Sequence, residues 1–526
     1  TQSSRDLELD AAAWQKTQDD IDKHMIVGPF MSPEEAGFHR YRSVRRFGIW
    51  EMHGGAEERS CRVIDDLLDG EQNSTAGSYW THRPCDLDQW CLFLRAVSER
   101  FPTLPLSQFA SDFAKAYKQI PLAPWNQEYC IVVQWHPVLL RPVYLIAITQ
   151  LFGGRTAPVN FARFATFCAD LCAVLAAIPF VQCVDDMLCA EPLCSIRSGY
   201  TFWRRFADLC GWDVPDKKSP PPTQFQRVLG ASSDLTFTPI SPPWLWMCDD
   251  RREKLTGILL GVLRHGLAAA LAGQVWGQLS FAQTNMAGRF GRAMLRPFKR
   301  RQYEPGRHNL NNQLWRATHW WLSILEGPPP RPIAVGAMDR PLVISYSDGE
   351  GKDAGVGVAV WSPLAPQAKA GYLRVPQEVR DLWSHEGSLS RDIYEIEAVG
   401  PLTILHNWPE LLQGCLWIHF IDNAAGLSSL VKGSSSVFSG DVIVGATWRL
   451  VIALDVLPWF DRVDSHANPV DGLSRGRFDG PWNLQEISFT EFILDELRDE
   501  LGRVSSPDAI VCCSSDSCET SSSSIP

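Results

Sequence analysis

No uninterrupted run of about 18 apolar residues occurs in the chain, which argues against a simple membrane-spanning helix. The nearest, Leu171 to Val184, stops at Asp185 and Asp186 and reads as a buried helix followed by a strand. No basic-then-apolar leader opens the chain, and its first residues, Thr1 to Asp6, include no Met, so we expect a fragment or a processed product. The 15 cysteines form no CxxC pair and no Cys/His set at zinc spacing. Reduced, mostly buried thiols are expected, in the cytoplasm or nucleus. Positive charge is scarce, with 49 Lys and Arg against 60 Asp and Glu and a net charge of −11. That excludes a generally basic nucleic-acid coat but not a nucleic-acid enzyme, because the local field decides. No internal repeat is visible.

What is present is enough apolar material, 45% of 526 residues, for about three domains at roughly 150 residues each. Charge is unevenly placed. Arg289, Arg292, Arg296, Lys299, Arg300, Arg301 and Arg307 face the single acid Glu304, and their density makes them candidates for phosphate contact. Acids dominate from Glu491 onward. Proline clusters at Ser241-Pro242-Pro243 and at Gly327 to Pro332 mark boundaries, the second as a stiff, extended linker. The expected layout is an extension over 1–44, a first block over 45–240, helices over 241–326, a linker over 327–340, a second block over 341–480 and an acidic, Ser-rich tail over 481–526.

Within the first block, Pro179 to Ala190 places apolar arms on either side of Asp185-Asp186. This is the pattern of a strand, a tight turn and a returning strand. Two carboxylates between apolar strands are costly unless a cation joins them, and Mg²⁺ prefers oxygen ligands. Adjacent aspartates also occur in ordinary solvated turns, but a second strand strengthens the case: Leu104 to Ala110 is apolar and delivers Asp112 at its end, before a short helical turn. Strand-end aspartates on neighbouring strands suit two Mg²⁺ ions about 4 Å apart, the spacing of in-line phosphoryl transfer.

The second block repeats the theme. Leu342 to Gly349 is a strand ending in Asp348, and Gly355 to Trp361 makes a hairpin with it. Ile393 to Leu405 reads as a helix bearing Glu395 and Glu397, Leu416 to Asn423 as a strand ending in Asp422, and Val463 to Asp471 as a strand passing into a helix start. Asp348, one of the two glutamates, Asp422 and Asp471 suit a metal site that hydrolyses phosphodiesters. Glu397, after the apolar pair Ile393 and Ile396, is favoured over Glu395. Asp441 and Asp464 read as solvent-facing, and His466 as a loop residue that either assists product release or is plain polar surface.

Asp112 to Tyr117, Gln150 to Pro158, Cys183 to Asp186, Gly211 to Lys218 and Val228 to Gly230, with Arg62 to Asp66 upstream, resemble in order and spacing the motifs of reverse transcriptases over residues 40 to 300. The resemblance implies a right-hand polymerase of mixed α/β and α+β folds, with fingers and palm over 45–240 and a helical thumb or connection over 241–326. Asp112, Asp185 and Asp186 would be its metal site and Tyr117 the gate that rejects a ribose 2′-hydroxyl. Phe152, Gly153 and Pro158 would shape the nucleotide pocket. Lys218 would be the proton donor to pyrophosphate, unless it is simply an exposed lysine in a polar turn. Arg62, ahead of Arg59, would meet the triphosphate. Cys183 departs from the aromatic residue usual there, which alters packing beside the primer.

Residues 341 to 477 resemble the RNase H domain, with Asn468 to Arg475 similar to the ending of retroelement versions. The whole is most like DIRS-type elements, with a gypsy-like or pararetroviral relative second. The implied cofactor is Mg²⁺, with Mn²⁺ as its substitute. The implied partners are an RNA template, a DNA primer, RNA–DNA hybrid and deoxynucleoside triphosphates, with no membrane and no stated oligomer. Two other classes compete with this reading. One is a decayed or domesticated nucleic-acid-binding remnant, opposed by the survival of every expected carboxylate. The other is an RNA-templated RNA polymerase, opposed by Tyr117 and the second block.

Overall fold

The computed structural model describes residues 2–52, 59–77, 85–336, 339–383, 392–480 and 482–488. Nearly all of the acidic, Ser-rich tail read over 481–526 lies outside them. The chain divides into two units, Thr1–Lys254 with Pro328–Val335, and Leu255–Gly327 with Gly336–Pro526.

The first unit opens with α1 (Leu7–Asp22), capped by Asp6, whose carboxylate accepts from the Glu8 and Leu9 amides. A five-stranded sheet follows in the order β1-β6-β5-β2-β3. Its strands are β1 (Ile26–Phe30), β2 (Ser43–Met52), β3 (Arg59–Asp66), β5 (Ile131–His136) and β6 (Arg141–Ala147). Between β3 and β5 come α2 (Gln72–Thr75), α3 (Leu87–Arg100) and β4 (Leu106–Asp112). After β6, the unit continues through α4 (Ala157–Ala176), β7 (Val181–Cys183), β8 (Asp186–Pro192) and α5 (Ile196–Leu209). β4, β8 and β7 form an antiparallel sheet backed by Phe109, Phe113, Phe161, Met187 and Trp203. β9 (Phe225–Val228), β10 (Ala231–Asp234), β11 (Trp244–Met247) and β12 (Arg331–Pro332) make a third sheet.

The proline segment, read as a stiff, extended linker, is extended at Arg331 and Pro332, where it pairs with β11; Arg331 is 2.6 Å from Asp88, and Ile333 is buried in the core. Proline suits that edge strand, where a missing amide costs no ladder bond. The helix read as buried is buried on one face only. α4 packs Phe161, Ala165, Cys168 and Cys172 inward but exposes Phe164, Phe167, Val174 and Leu175. Its length and apolarity match a membrane-spanning helix, although it carries Arg163 and Asp170.

The second unit takes in α6 (Asp249–His265) from Leu255 on, then α7 (Ala269–Thr284), α8 (Arg296–Arg301) and α9 (Asn312–Glu326). Its six-stranded sheet runs β17-β16-β13-β14-β15-β18, from β13 (Leu342–Glu350), β14 (Gly355–Trp361), β15 (Lys369–Arg374), β16 (Leu416–Ile421), β17 (Leu457–Arg462) and β18 (Asn483–Leu484). β16 is parallel to both β13 and β17, whereas β14 is antiparallel to its neighbours, so the unit is mixed α/β. α10 (Gln377–Trp383), α11 (Ile393–Asn407), α12 (Pro409–Leu412), α13 (Ala424–Lys432), α14 (Phe438–Ala453) and α15 (Asp471–Ser474) complete it. α11 is buried along most of its length against β13, β14 and α14. The approach requires Gly349, where a Cβ would meet the Glu397 amide nitrogen at 2.9 Å.

The basic stretch is largely engaged inside this unit. Arg296 Nη1 lies 2.9 Å from Asp441 and also donates to the Ser435 carbonyl, while Arg289 and Arg292 donate to the Val431 and Lys432 carbonyls. Asp441 is therefore not solvent-facing. It is buried, and burial pushes its carboxyl up to about 6 against the opposing pull of Arg296. Asp464 is exposed.

Candidate functional sites

In the first unit, strand register assembles the carboxylates. Asp112 ends β4 and lies opposite Asp186 at the start of β8, while Cys183 at the end of β7 also pairs with Asp186. Between them, Val184 adopts a φ of 56°. A β-branched residue enters that left-handed region at a cost of about 1–3 kcal/mol, strain of the kind that collects at functional sites. The turn puts Asp185 close enough to Asp112 for their charges to repel.

Three like charges then compete. Burial raises the Asp186 carboxyl to about 7, with Asp185 and Asp112 adding to the rise and Lys218 opposing it. Burial, followed by Asp112, also raises Asp185. Lys218, from the short turn Asp216–Lys218, donates to Asp112 Oδ2 at 2.6 Å. The other oxygen, Asp112 Oδ1, is buried without a hydrogen-bond partner. An orphaned carboxylate oxygen among mutually repelling carboxylates fits a hard divalent cation.

Tyr117 sits beside this group. Its ring centroid is 5.1 Å from that of Phe152, and its hydroxyl is pushed up by burial and then by the charge of Asp185. Gly153 has a φ of +89°, and a Cβ there would stand 3.0 Å from the Asp65 carbonyl oxygen, so the residue admits no ordinary side chain. Pro158 lies in the first turn of α4, where a missing amide costs nothing. Arg62 bonds Glu51 across the β2–β3 hairpin at 2.8 Å, while Arg59 pairs with Glu8 and stacks on Trp50. Neither of those bonds involves the Asp112 group. Cys183, at the departure from the usual aromatic, donates its thiol to the Cys85 carbonyl.

In the second unit, β13 and β16 run parallel with Ser347 opposite Ile421, so Asp348 and Asp422 emerge side by side. α11 lowers Glu397 onto them. One oxygen from each of Asp348, Glu397 and Asp422 lies within 4.8 Å of the others. Burial, then Asp422 and Asp348, raise the Glu397 carboxyl to about 9. Burial and the charge of Asp422 lift Asp348 to about 6, against a hydrogen bond from the Ser474 hydroxyl. Glu397 Oε2 and Asp422 Oδ1 are buried without partners. This group also fits a divalent cation.

The remaining candidates stand apart from that trio. Glu395 accepts from the Ser439 hydroxyl at 2.7 Å. Asp471 accepts from Arg475 at 2.6 Å, although its charge is felt at Asp348. His466 is exposed in a one-turn helix.

Sequence reasoning missed several residues. Ser474 and Asn468 hydrogen-bond Asp348, though both lie in the segment singled out for its ending. Asp20, Arg46, Lys115 and Lys118 form a buried charge network in the first unit. Its signal was present as charged residues at inward positions, Asp10 and Asp20 on the buried stripe of α1 and Arg46 two residues after buried Val44 on β2.

No protein-family model matches the chain, and no curated protein matches it. Among solved structures, the chain is similar to a foamy viral protease-reverse transcriptase in complex with dsDNA, at 13% identity and a TM-score of 0.45, covering 88% of this chain and 84% of that one. It is also similar to the same kind of protein in complex with RNA/DNA hybrid, at 12% identity and a TM-score of 0.47, covering 88% of this chain and 54% of that one. With likenesses this distant, the functional reading rests on the carboxylate geometry.

Proposed function

We propose that the chain is an RNA-directed DNA polymerase whose residues 341–480 are a ribonuclease H domain acting on the RNA of RNA–DNA hybrids, and that it belongs to a retrotransposon of DIRS-like kind. The observation that carries the reading is the pair of carboxylate groups gathered at strand ends in one chain, the first with one and the second with two buried carboxylate oxygens that have no hydrogen-bond partner.

In the first unit, Asp112, Asp185 and Asp186 would hold Mg²⁺ or Mn²⁺. Divalent ions there supply Lewis-acid activation of a primer 3′-hydroxyl and charge stabilisation at the departing pyrophosphate. Lys218, 2.6 Å from Asp112, holds that carboxylate in place and has a proton to give where pyrophosphate leaves. Tyr117 and Phe152 form the wall against which a deoxyribose packs. Arg62 would have to exchange Glu51 for a triphosphate. In the second unit, Asp348, Glu397 and Asp422 would hold the metal, with Asp471 arriving from α15 after release from Arg475. Cysteines support an intracellular setting: twelve described thiols are free.

The test is DNA-primer extension on an RNA template with Mg²⁺ and deoxynucleotides, comparing the native chain with Asp185→Asn. Extension that disappears in the variant supports the reading. A well-folded native chain that extends nothing overturns the polymerase assignment and leaves hybrid cleavage to be measured separately.

A further inference from the structure

The turn that carries Tyr117 is held from behind by a residue on the first helix. Asp20 lies on the inward stripe of α1 and is 3% exposed. Its Oδ1 accepts from Lys115 Nζ at 2.7 Å, and its Oδ2 accepts from Arg46 Nη1 at 3.3 Å and from Lys118 Nζ. Asp65, the second carboxylate here, is already taken by a bidentate pair with Arg46 at 2.6 and 3.0 Å. Asp20 is thus the acid that answers both lysines.

Those lysines bracket Tyr117 in the turn Ala116–Gln119, entered through Lys115 at a φ of 50° and a ψ of 37°. Lys118 also lies 5.9 Å from the Phe152 ring centroid, and Phe152 faces Tyr117. Three cations, Arg46, Lys115 and Lys118, meet two carboxylates, Asp20 and Asp65. Burial and Arg46 pull the Lys118 ammonium below its ordinary range, and Asp20 is the acid that holds it. Without Asp20 the buried lysine must find water, and the turn must move with it.

We infer that Asp20 is a positioning residue that fixes how deeply Tyr117 sits in the nucleotide pocket, and so sets the choice between deoxy- and ribonucleotides. The inference rests on the polymerase reading of the site. A steric gate works through sub-ångström placement, so a turn released from its anchor lets the ring retreat and admits a 2′-hydroxyl, while a deoxynucleotide is affected far less.

The experiment compares the native full chain with Asp20→Asn, Asp20→Glu and Lys115→Gln. Single-nucleotide incorporation is read as kcat and KM for a deoxynucleotide and its ribonucleotide, alongside amide hydrogen exchange over residues 114–120. For Asp20→Asn we expect discrimination to fall about tenfold, chiefly through a lower ribonucleotide KM, with deoxynucleotide kcat within about threefold. Exchange in the turn should rise about tenfold while β13 and β16 stay protected, and Asp20→Glu should restore both readouts. Lys115→Gln removes one arm at a half-exposed position and should shift both in the same direction by less, which keeps the test open if Asp20→Asn does not fold.

Equal losses for both nucleotides, or unchanged discrimination, overturn the proposal. If the native chain extends no primer, the polymerase reading fails by itself and takes nucleotide choice with it. Exchange then decides the remaining claim: local loosening upholds the Asp20 anchor, and unchanged exchange overturns it.

Discussion

The two carboxylate groups differ in what the protein supplies to balance them. In the first unit, Lys218 reaches Asp112, and Asp186 rises only to about 7. In the second, Asp348 is hydrogen-bonded by neutral groups, Ser474 and Asn468, and among the described residues no ammonium or guanidinium bonds to the trio. Glu397 there rises to about 9. Burial is the leading cause in both places, and Glu397 is buried where Asp186 is only half-buried; the Lys218 charge is the smallest influence on Asp186, a counterweight that Glu397 lacks. The second group is the one that most needs a cation from solution.

The sharpest test separates the centres. Asp185→Asn should lower primer extension by about 10³-fold or more and leave hybrid cleavage within about threefold, and Glu397→Gln should do the reverse. Parallel loss of both activities in either variant would dissolve the distinction between the sites.

The next test makes the first centre resemble the second. Lys218→Met removes its cation, so Mg²⁺ should bind more tightly and the half-saturating concentration in primer extension should fall severalfold. The rate at saturating Mg²⁺ should nonetheless drop by about 10²-fold, as expected on losing a proton donor. A tighter Mg²⁺ requirement with an unchanged rate would keep the electrostatic role of Lys218 and remove the catalytic one.

A smaller effect should appear in stability. Below the ordinary Glu value of 4.5, folded and unfolded chains both carry the Glu397 proton. From there to about 9, the folded chain keeps a proton that the unfolded chain has lost, so raising the pH lowers stability across that window. Asp186 adds to the same slope up to about 7. Thermal melting in chelator should therefore fall from pH 5 to pH 9. Mg²⁺ should offset the fall, and Glu397→Gln should flatten most of it. A melting temperature that is level with pH in chelator would contradict the buried, metal-free arrangement.

The legible parts of this molecule were local. An apolar arm followed by Asp reads as a strand end within a single window, which is why β4, β7, β8, β13 and β16 were visible along with the acids they carry. What was hidden depends on partners far along the chain. Asp20 meets Arg46 26 residues on and Lys118 98 residues on. Asp441 occupies a first helical turn, a place where acids are commonly solvated, and its buried setting includes Arg296, 145 residues earlier, alongside the nearby Ser435 amide. The proline segment looked like a spacer because its partner β11 lies far back in the sequence, with the helices α6 to α9 between them.

The choice between Glu395 and Glu397 shows where local reading stops and what the smallest measurement would add. Two residues apart on one helix, they face different ways, and periodicity alone does not say which way the sheet lies. The packing of α11 supplies that direction, because Gly349 of β13 lies against the Glu397 backbone. Glu397 then points at Asp348 and Asp422, while Glu395 turns toward α14 and bonds Ser439. Glu395→Gln can still accept that hydroxyl, so hybrid cleavage should change by no more than about twofold and stability by under about 1 kcal/mol. A loss approaching that of Glu397→Gln would mean that α11 turns by part of a helical step when substrate binds, bringing the other glutamate to the metal.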